Sequence, residues 1–177
     1  MTLTVRPAAE ADLAAVTALY ADEVLNGVAT FEETPPTLAE MTSRFEAVRR
    51  HDLPWLIAEV DGAFAGYAYA APFRPRAAYR WAVEESIYVA PGFQGRGVGR
   101  ALLTAVIEAC RARGLRHLIA AISGGGASVA FHAASGFRHA GTYRDVGYKF
   151  DRWLDVDLMQ LDLSPDGARP VSEGLAL

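Results

Sequence analysis

Cysteine is nearly missing from this chain: Cys110 stands alone, so no internal disulfide is available, and no Cys/His spacing suits a structural zinc. A metal site is therefore not expected, and the cysteine usage fits a reducing compartment. Long apolar runs are lacking too, none approaching the roughly 20 residues that span a bilayer. The opening "MTLTVRPAAEADL" has no basic region followed by an apolar stretch. The expected location is the cytoplasm, with no membrane partner. Positive charge is not in surplus either, with 17 Lys and Arg against 21 Asp and Glu for a net of −4. Nucleic-acid binding draws on clustered Lys and Arg, so a nucleic-acid partner is not expected. What is present is the balance of a globular protein, 51% apolar and 21% charged, in 177 residues that suit one domain.

The periodicities alternate between strand and helix. "TLTVRPA" alternates, and Leu13, Val16, Leu19, Tyr20 and Val24 then recur at helical spacing, with Asp12 as the expected N-cap. Thr37 followed by Glu40 is a capping-box signature before "LAEMTSRFEAVRRH", so two helices precede the main sheet. Asp61-Gly62 between "PWLIAEV" and "AFAGYAYAAPF" is a hairpin signal. "WAVEESIYVA" reads as a further strand, and a helix with Val98, Leu102, Val106, Ala109 and Cys110 on one face runs to a stop at Gly114. "LRHLIAAIS" reads as a buried strand, "GASVAFHAASG" as a short helix, and "FRHAGTY" and "RWLDVDLMQLDL" as two last strands. From Ser164 the chain has no periodicity, and residues 164–177 are expected to form a mobile tail after a domain spanning 1–163.

Between the fourth strand and the long helix lies "APGFQGRGVGRALL", where glycines open a helix whose first amides have no intrahelical partner. Such a turn favours phosphate, and Arg96 and Arg100 add charge. Two nucleotide motifs fail on it. The Walker pattern begun at Gly92 needs Lys at position 98, which is Val98. The dinucleotide pattern begun at Gly95 needs Gly or Ala at 100, which is Arg100, and begun at Gly97 it meets Leu102.

The Q-x-x-G-x-G made by Gln94, Gly97 and Gly99, with "ESIYV" before it and "SVAFHAASGF" after, resembles the GNAT N-acetyltransferase family over about Leu3 to Leu163. "FEETP", "RPRAAYRWAVEESIYV" and "VGYKFDRWLDVDLMQL" are similar to its phosphinothricin and methionine sulfoximine acetyltransferase branch. The resemblance implies an α/β fold: a mixed, mostly antiparallel sheet of about seven strands, flanked by helices and splayed at the cofactor site. It implies acetyl-CoA as co-substrate, held by Ile87, Tyr88, Val89, Gln94, Gly95, Arg96, Gly97, Val98, Gly99 and Arg100, with Gly125 and Ser128 from the later helix. One departure is Gly125 itself, in "ISGGGASV", where relatives commonly carry an asparagine.

An α-amine must lose a proton before it attacks a thioester, which calls for a base. Strand alternation puts Glu84, Ser86 and Tyr88 on one face and Glu85, Ile87 and Val89 on the other, so only one of the two glutamates can point into the cleft. The resemblance selects Glu84. His132, four residues before Gly136, takes the place of the family's tyrosine acid. An amino-acid acceptor brings a carboxylate, which arginine recognises bidentately. The resemblance points to Arg74 and Arg80 for it, then to Thr30, Phe31, Glu32 and Lys149 on the substrate side, Phe31 being equally suited to the core. It also places Tyr148, Lys149 and Trp153 at a two-fold interface, implying a homodimer. The expected reaction is direct acetyl transfer in a ternary complex to the α-amine of a small amino acid or analogue. Two alternatives stay open: the same fold with a polyamine, aminoglycoside or protein amino terminus as acceptor, or a module that binds acyl-CoA without turning it over.

Overall fold

In a computed structural model that describes residues 1–164, 170 and 172–177, the alternating runs become seven strands and the helical runs four helices. The strands are β1 (Leu3–Pro7), β2 (Trp55–Val60), β3 (Ala63–Pro72), β4 (Ala82–Val89), β5 (His117–Ser123), β6 (Arg138–Lys149) and β7 (Arg152–Asp162). The helices are α1 (Leu13–Asn26), α2 (Leu38–Arg50), α3 (Val98–Ala112) and α4 (Gly126–Ala134). The strands form one sheet in the order β1-β2-β3-β4-β5-β7-β6. Every neighbouring pair is antiparallel except β4 and β5, which run parallel. This is the expected α/β architecture in a single domain.

Local chemistry explains most of the boundaries. The Thr37 hydroxyl accepts the Glu40 amide at 3.2 Å, and the Glu40 carboxylate accepts the Thr37 amide at 2.7 Å, which closes the capping box of α2. Asp61-Gly62 turns β2 into β3, register Val60 to Ala63. Between them a bulge brings Gly66 so close to β4 that an added Cβ would lie 2.4 Å from the Tyr88 carbonyl oxygen. Asp12 precedes α1 but does not cap it with its side chain. Its carboxylate instead accepts the Ala9 amide and pairs with Arg6, whose guanidinium is shared with Glu59. That ties the start of α1 back to β1 and β2.

Helices α1 and α2 pack on one face of the sheet and α3 on the other. Leu102, Leu103, Val106 and Cys110 of α3 are buried on the face of Ala68 and Val83, while Leu13, Val16, Phe45 and Val48 are buried on the opposite side with Trp55 and Ile57. At roughly 25 cal/mol per Å² of apolar surface removed from water, these two layers hold the sheet rigid from both sides. Where it is described, the segment expected as a tail makes contacts with the domain. Leu175 is buried, its amide donates to the Arg80 carbonyl at 2.8 Å, and the Trp81 indole donates to the Ser172 carbonyl at 3.0 Å. Residues 165–169 and 171 of that expected tail lie outside the described residues.

Candidate active site

The parallel pair β4/β5 stays in register for only three positions, Ala82 to His117, Val83 to Leu118 and Glu84 to Ile119. Beyond them β4 keeps its ladder with β3 as far as Val89, and β5 keeps its ladder with β7 as far as Ser123. The two strands therefore part like a V, and their facing backbone groups are left for another partner. Into the gap opens a cleft of about 820 Å³. Ser86–Val89 form one wall and Ala121–Ser123 the other, Ala127, Ser128, Phe131 and His132 of α4 close one side, and Ala29 touches the rim. A cleft of this volume suits a ligand of cofactor size.

At the mouth, the glycine stretch opens α3. Gly97 sits at the N-cap with φ +85°, a left-handed conformation that a side chain would strain, and its side-chain position faces open space, as does that of Gly95. The first amides of a 15-residue helix thus meet the cleft with no side chain in the way. Arg100, one turn in, adds a cation to the lining. Gln94 braces this loop: its carbonyl accepts the Gly92 amide at 3.0 Å and its amide donates to the Val89 carbonyl at 3.3 Å. The residues present fit a pyrophosphate group.

Residues 5–158 match the family model described as an acetyltransferase (GNAT) domain. The chain belongs to the GNAT acetyltransferases. It is 49% identical over 163 residues to a phosphinothricin N-acetyltransferase of Alcaligenes faecalis, which covers 91% of this chain and 83% of that one. It is 42% identical over 172 residues to an L-methionine sulfoximine/L-methionine sulfone acetyltransferase of Pseudomonas paraeruginosa, with 96% and 100% covered. A GNAT superfamily phosphinothricin acetyltransferase from Sinorhizobium meliloti, solved in complex with AcCoA, superposes with a TM-score of 0.92 at 45% identity, covering 98% of this chain and 96% of that one. Acetyl-CoA is accordingly the co-substrate of this GNAT chain.

Of the residues singled out in the sequence, Ile87, Tyr88, Val89, Gln94, Gly95, Gly97, Gly99, Arg100, Ser128 and His132 line the cleft together. Val98 points into the core instead, buried under α3, so only its backbone is available at the mouth. Arg96 lies outside the lining, against the Phe93 ring and bonded to the Gly92 carbonyl. Gly125, at φ +85°, precedes α4 without a side-chain cap, which leaves the first amides of that helix bare beside Ala127 and Ser128 of the cleft wall.

The two glutamates separate as the alternation requires. Glu84 shares a face with Tyr88, whose ring meets Tyr20 of α1 at 5.4 Å and Tyr67 of β3 at 5.0 Å. It stands outside the cleft lining, on the side of α1 and α2. Burial raises the pKa of Glu84; the charge of Arg74 opposes that shift and the charge of Glu85 adds to it. Glu85 is the glutamate that lines the cleft, buried and 2.8 Å from the His132 ring. Burial lowers the pKa of His132, but the hydrogen bond and charge of Glu85 outweigh it and the net shift is upward.

The substrate-side residues fall into two groups. Thr30 is buried, bonded through its hydroxyl to Tyr20 at 2.8 Å and through its carbonyl to Lys149 at 2.9 Å. Phe31 covers Gly147, where an added Cβ would meet its ring at 2.1 Å, and Glu32 is gripped by Arg44 and the Tyr20 hydroxyl. Thr30, Phe31 and Lys149 are thus neighbours beside Ala29 at the rim. Arg74 lies over the Phe73 ring at 4.5 Å and borders a separate recess of about 360 Å³ with His51 and Leu177. Arg80 is held against Trp81 at 4.8 Å and bonded to the Ala77 carbonyl at 2.9 Å. Neither arginine reaches the large cleft. The sequence reading passed over Glu85 as a site residue, and strand alternation, which sets it on the same face as Ile87 and Val89, is the signal that could have found it.

Proposed function

We propose that this protein acetylates the α-amine of a small amino acid or analogue, of the phosphinothricin, methionine sulfoximine or methionine sulfone class, as a cytoplasmic homodimer. The observation that carries the proposal is the parting of β4 from β5 beside the phosphate cradle at α3, with Glu84 on the face of β4 that looks away from the cleft, toward α1 and α2. The names and the 42% and 49% identities of the relatives support the acceptor class.

Each residue has a role that follows from its place. The amides of α3 and Arg100 bind the pyrophosphate, and the free backbone edge of β4 near Tyr88 and Val89 aligns the thioester and offers donors to its developing oxyanion. Glu84, with its raised pKa, takes the proton that an ammonium must lose, directly or through water. Arg74, close enough to act on the Glu84 charge, is the first arginine for the substrate carboxylate and Arg80 the second. His132 serves as the acid for the departing sulfur. Cys110 takes no part: it is buried and its thiol is pushed up to about 12 by burial and by Glu85, so transfer is direct, without an acyl-enzyme. The β6–β7 hairpin, at the edge of the sheet, exposes Tyr143, Val146, Tyr148, Phe150 and Trp153, an apolar patch that a second copy of the chain would cover.

The test is a free-thiol assay with acetyl-CoA and a panel of amines. Release with phosphinothricin, methionine sulfoximine and methionine sulfone, and none with polyamines or aminoglycosides, is the expected result. Activity confined to amines without a carboxylate would remove the arginine clamp. Tight acetyl-CoA binding with no thiol release on any amine would make the protein a sensor.

A further inference from the structure

The ring of His132 has no free nitrogen. Its Nδ1 lies 2.7 Å from the Ser128 carbonyl oxygen, one turn back on α4, and its Nε2 lies 2.8 Å from Glu85 Oε1 on β4. A carbonyl oxygen only accepts, so Nδ1 carries a hydrogen. One further proton then has to lie between Nε2 and Oε1, since a bare nitrogen facing a bare carboxylate would repel it. Reference affinities favour the ring over a glutamate by about two pH units. Both side chains are nearly sealed from water, at 6% and 3% exposure. Glu85 Oε2 is buried with no hydrogen-bond partner among the described residues, so the charge of the carboxylate is answered at a single point, the His132 N–H.

We propose that Glu85 is a positioning residue that keeps His132 doubly protonated at the inner end of the cleft, the pair acting as one proton-holding unit for the departing sulfur. This rests on acetyl transfer taking place in the cleft as described above. The pair sits where β4 and β5 have just parted, one residue beyond the last pairing at Glu84 and Ile119. When the carbon–sulfur bond breaks, the sulfur leaves with the electron pair and takes the Nε2 proton. The ring ends neutral, still donating from Nδ1 to Ser128, with a bare Nε2 facing the ionised Glu85, a repulsive arrangement that lasts only until the pair takes up another proton. The negative charge has moved from sulfur to the pair, and a proton from solvent restores it. The titratable groups that feel the Glu85 charge are Cys110 on α3 and, on the opposite face of β4, Glu84 and Tyr88; Cys110 and Tyr88 are made harder to ionise by burial and by that charge. From α4 and the turn after it the neighbours are Ser128 and the rings of Phe131 and Phe137.

The first measurement needs no variant. Nitrogen NMR of the His132 ring in the wild-type protein should show both nitrogens protonated at pH 7, where a free imidazole is mostly neutral. A neutral ring with Nε2 accepting from a protonated Glu85 would overturn the proposal. In Glu85→Gln the ring should lose its second proton at a pH at least one unit lower, tenfold or more in proton affinity, with acetyl-CoA affinity by calorimetry unchanged within about twofold. The alkaline limb of its kcat profile should move down in pH by the same amount, and Glu85→Asp should restore part of the shift. A ring titration that moves while the kcat profile stays put would reduce Glu85 to a structural partner and refute the role. The NMR result does not depend on turnover, so a protein that releases thiol with no amine fails the proposed function without imitating a failure of the pair.

Discussion

Lys149, the one lysine in the chain, is the sharpest case for separating structure from recognition. The resemblance marks it as a substrate residue, yet its ammonium is buried and donates to two carbonyls, Gly27 at 2.8 Å and Thr30 at 2.9 Å. Those carbonyls flank the segment that leaves α1, so β6 holds this rim of the cleft through one side chain. In Lys149→Met the apolar stem is kept and both carbonyls lose their donor. Hydrogen bonds to a charged group contribute about 1.5–3 kcal/mol each. The two share one donor and the methionine recovers some packing, so the expected loss is about 2–4 kcal/mol. For a chain of this length each kcal/mol lowers Tm by roughly 2–4 °C, which gives a fall of roughly 4–16 °C by circular dichroism. The rim should loosen as well, raising KM for the amino-acid acceptor while acetyl-CoA affinity holds. A Tm within about 1 °C of wild type together with a tenfold rise in KM would refute the reasoning, since it would mean that the ammonium serves the substrate and not the rim.

Gly97→Val should weaken acetyl-CoA binding by tenfold or more in calorimetry, because a branched side chain both strains φ +85° and fills the cradle at α3; unchanged affinity would move the phosphate elsewhere. Glu84→Gln should lower kcat by about 10²–10⁴. Because burial raises the Glu84 pKa above 4.5, the ionised base is lost as pH falls through that raised value, so the wild-type rate should show an acid limb that the variant lacks; an identical pH–rate profile would take Glu84 out of the mechanism. Arg74→Ala should raise KM for acceptors bearing a carboxylate, by about tenfold or more for the loss of one charge-assisted contact, and a KM that stays put would leave Arg74 as a loop charge. If the proposed homodimer forms through the β6–β7 hairpin, Trp153→Asp, at a position 62% exposed, should give a monomer in light scattering without lowering Tm; a wild-type protein already monomeric at assay concentration would refute the interface.

Short-range patterns were the readable part of this chain. Thr37 and Glu40 lie one helical turn apart and cap α2 in both readings. Asp61-Gly62 turns a hairpin whose strands are adjacent in the chain, and the glycines from Gly92 to Gly99 open α3 where the motif places them. Asp12 was misread as a cap because Arg6 and the Ala9 amide compete for its carboxylate, and no local pattern reports that competition. In the segment after Ser164, which lacks periodicity, Leu175 is buried by fit and not by any repeat, so no local pattern could report it.

From residue types and spacing alone came the element types, the exclusion of two nucleotide motifs and the phosphate-binding turn, all of which depend on contacts within a few residues. The tertiary structure decided which glutamate meets the cleft. Glu84 and Glu85 are adjacent in the chain and chemically identical, and only the parting of β4 from β5, with α4 laid against one face, gives Glu85 a partner 47 residues away in His132. Lys149 likewise finds its two carbonyls 122 and 119 residues distant. Charge pairing across such distances is set by strand order and helix placement, which are properties of the whole packed chain and of no segment within it.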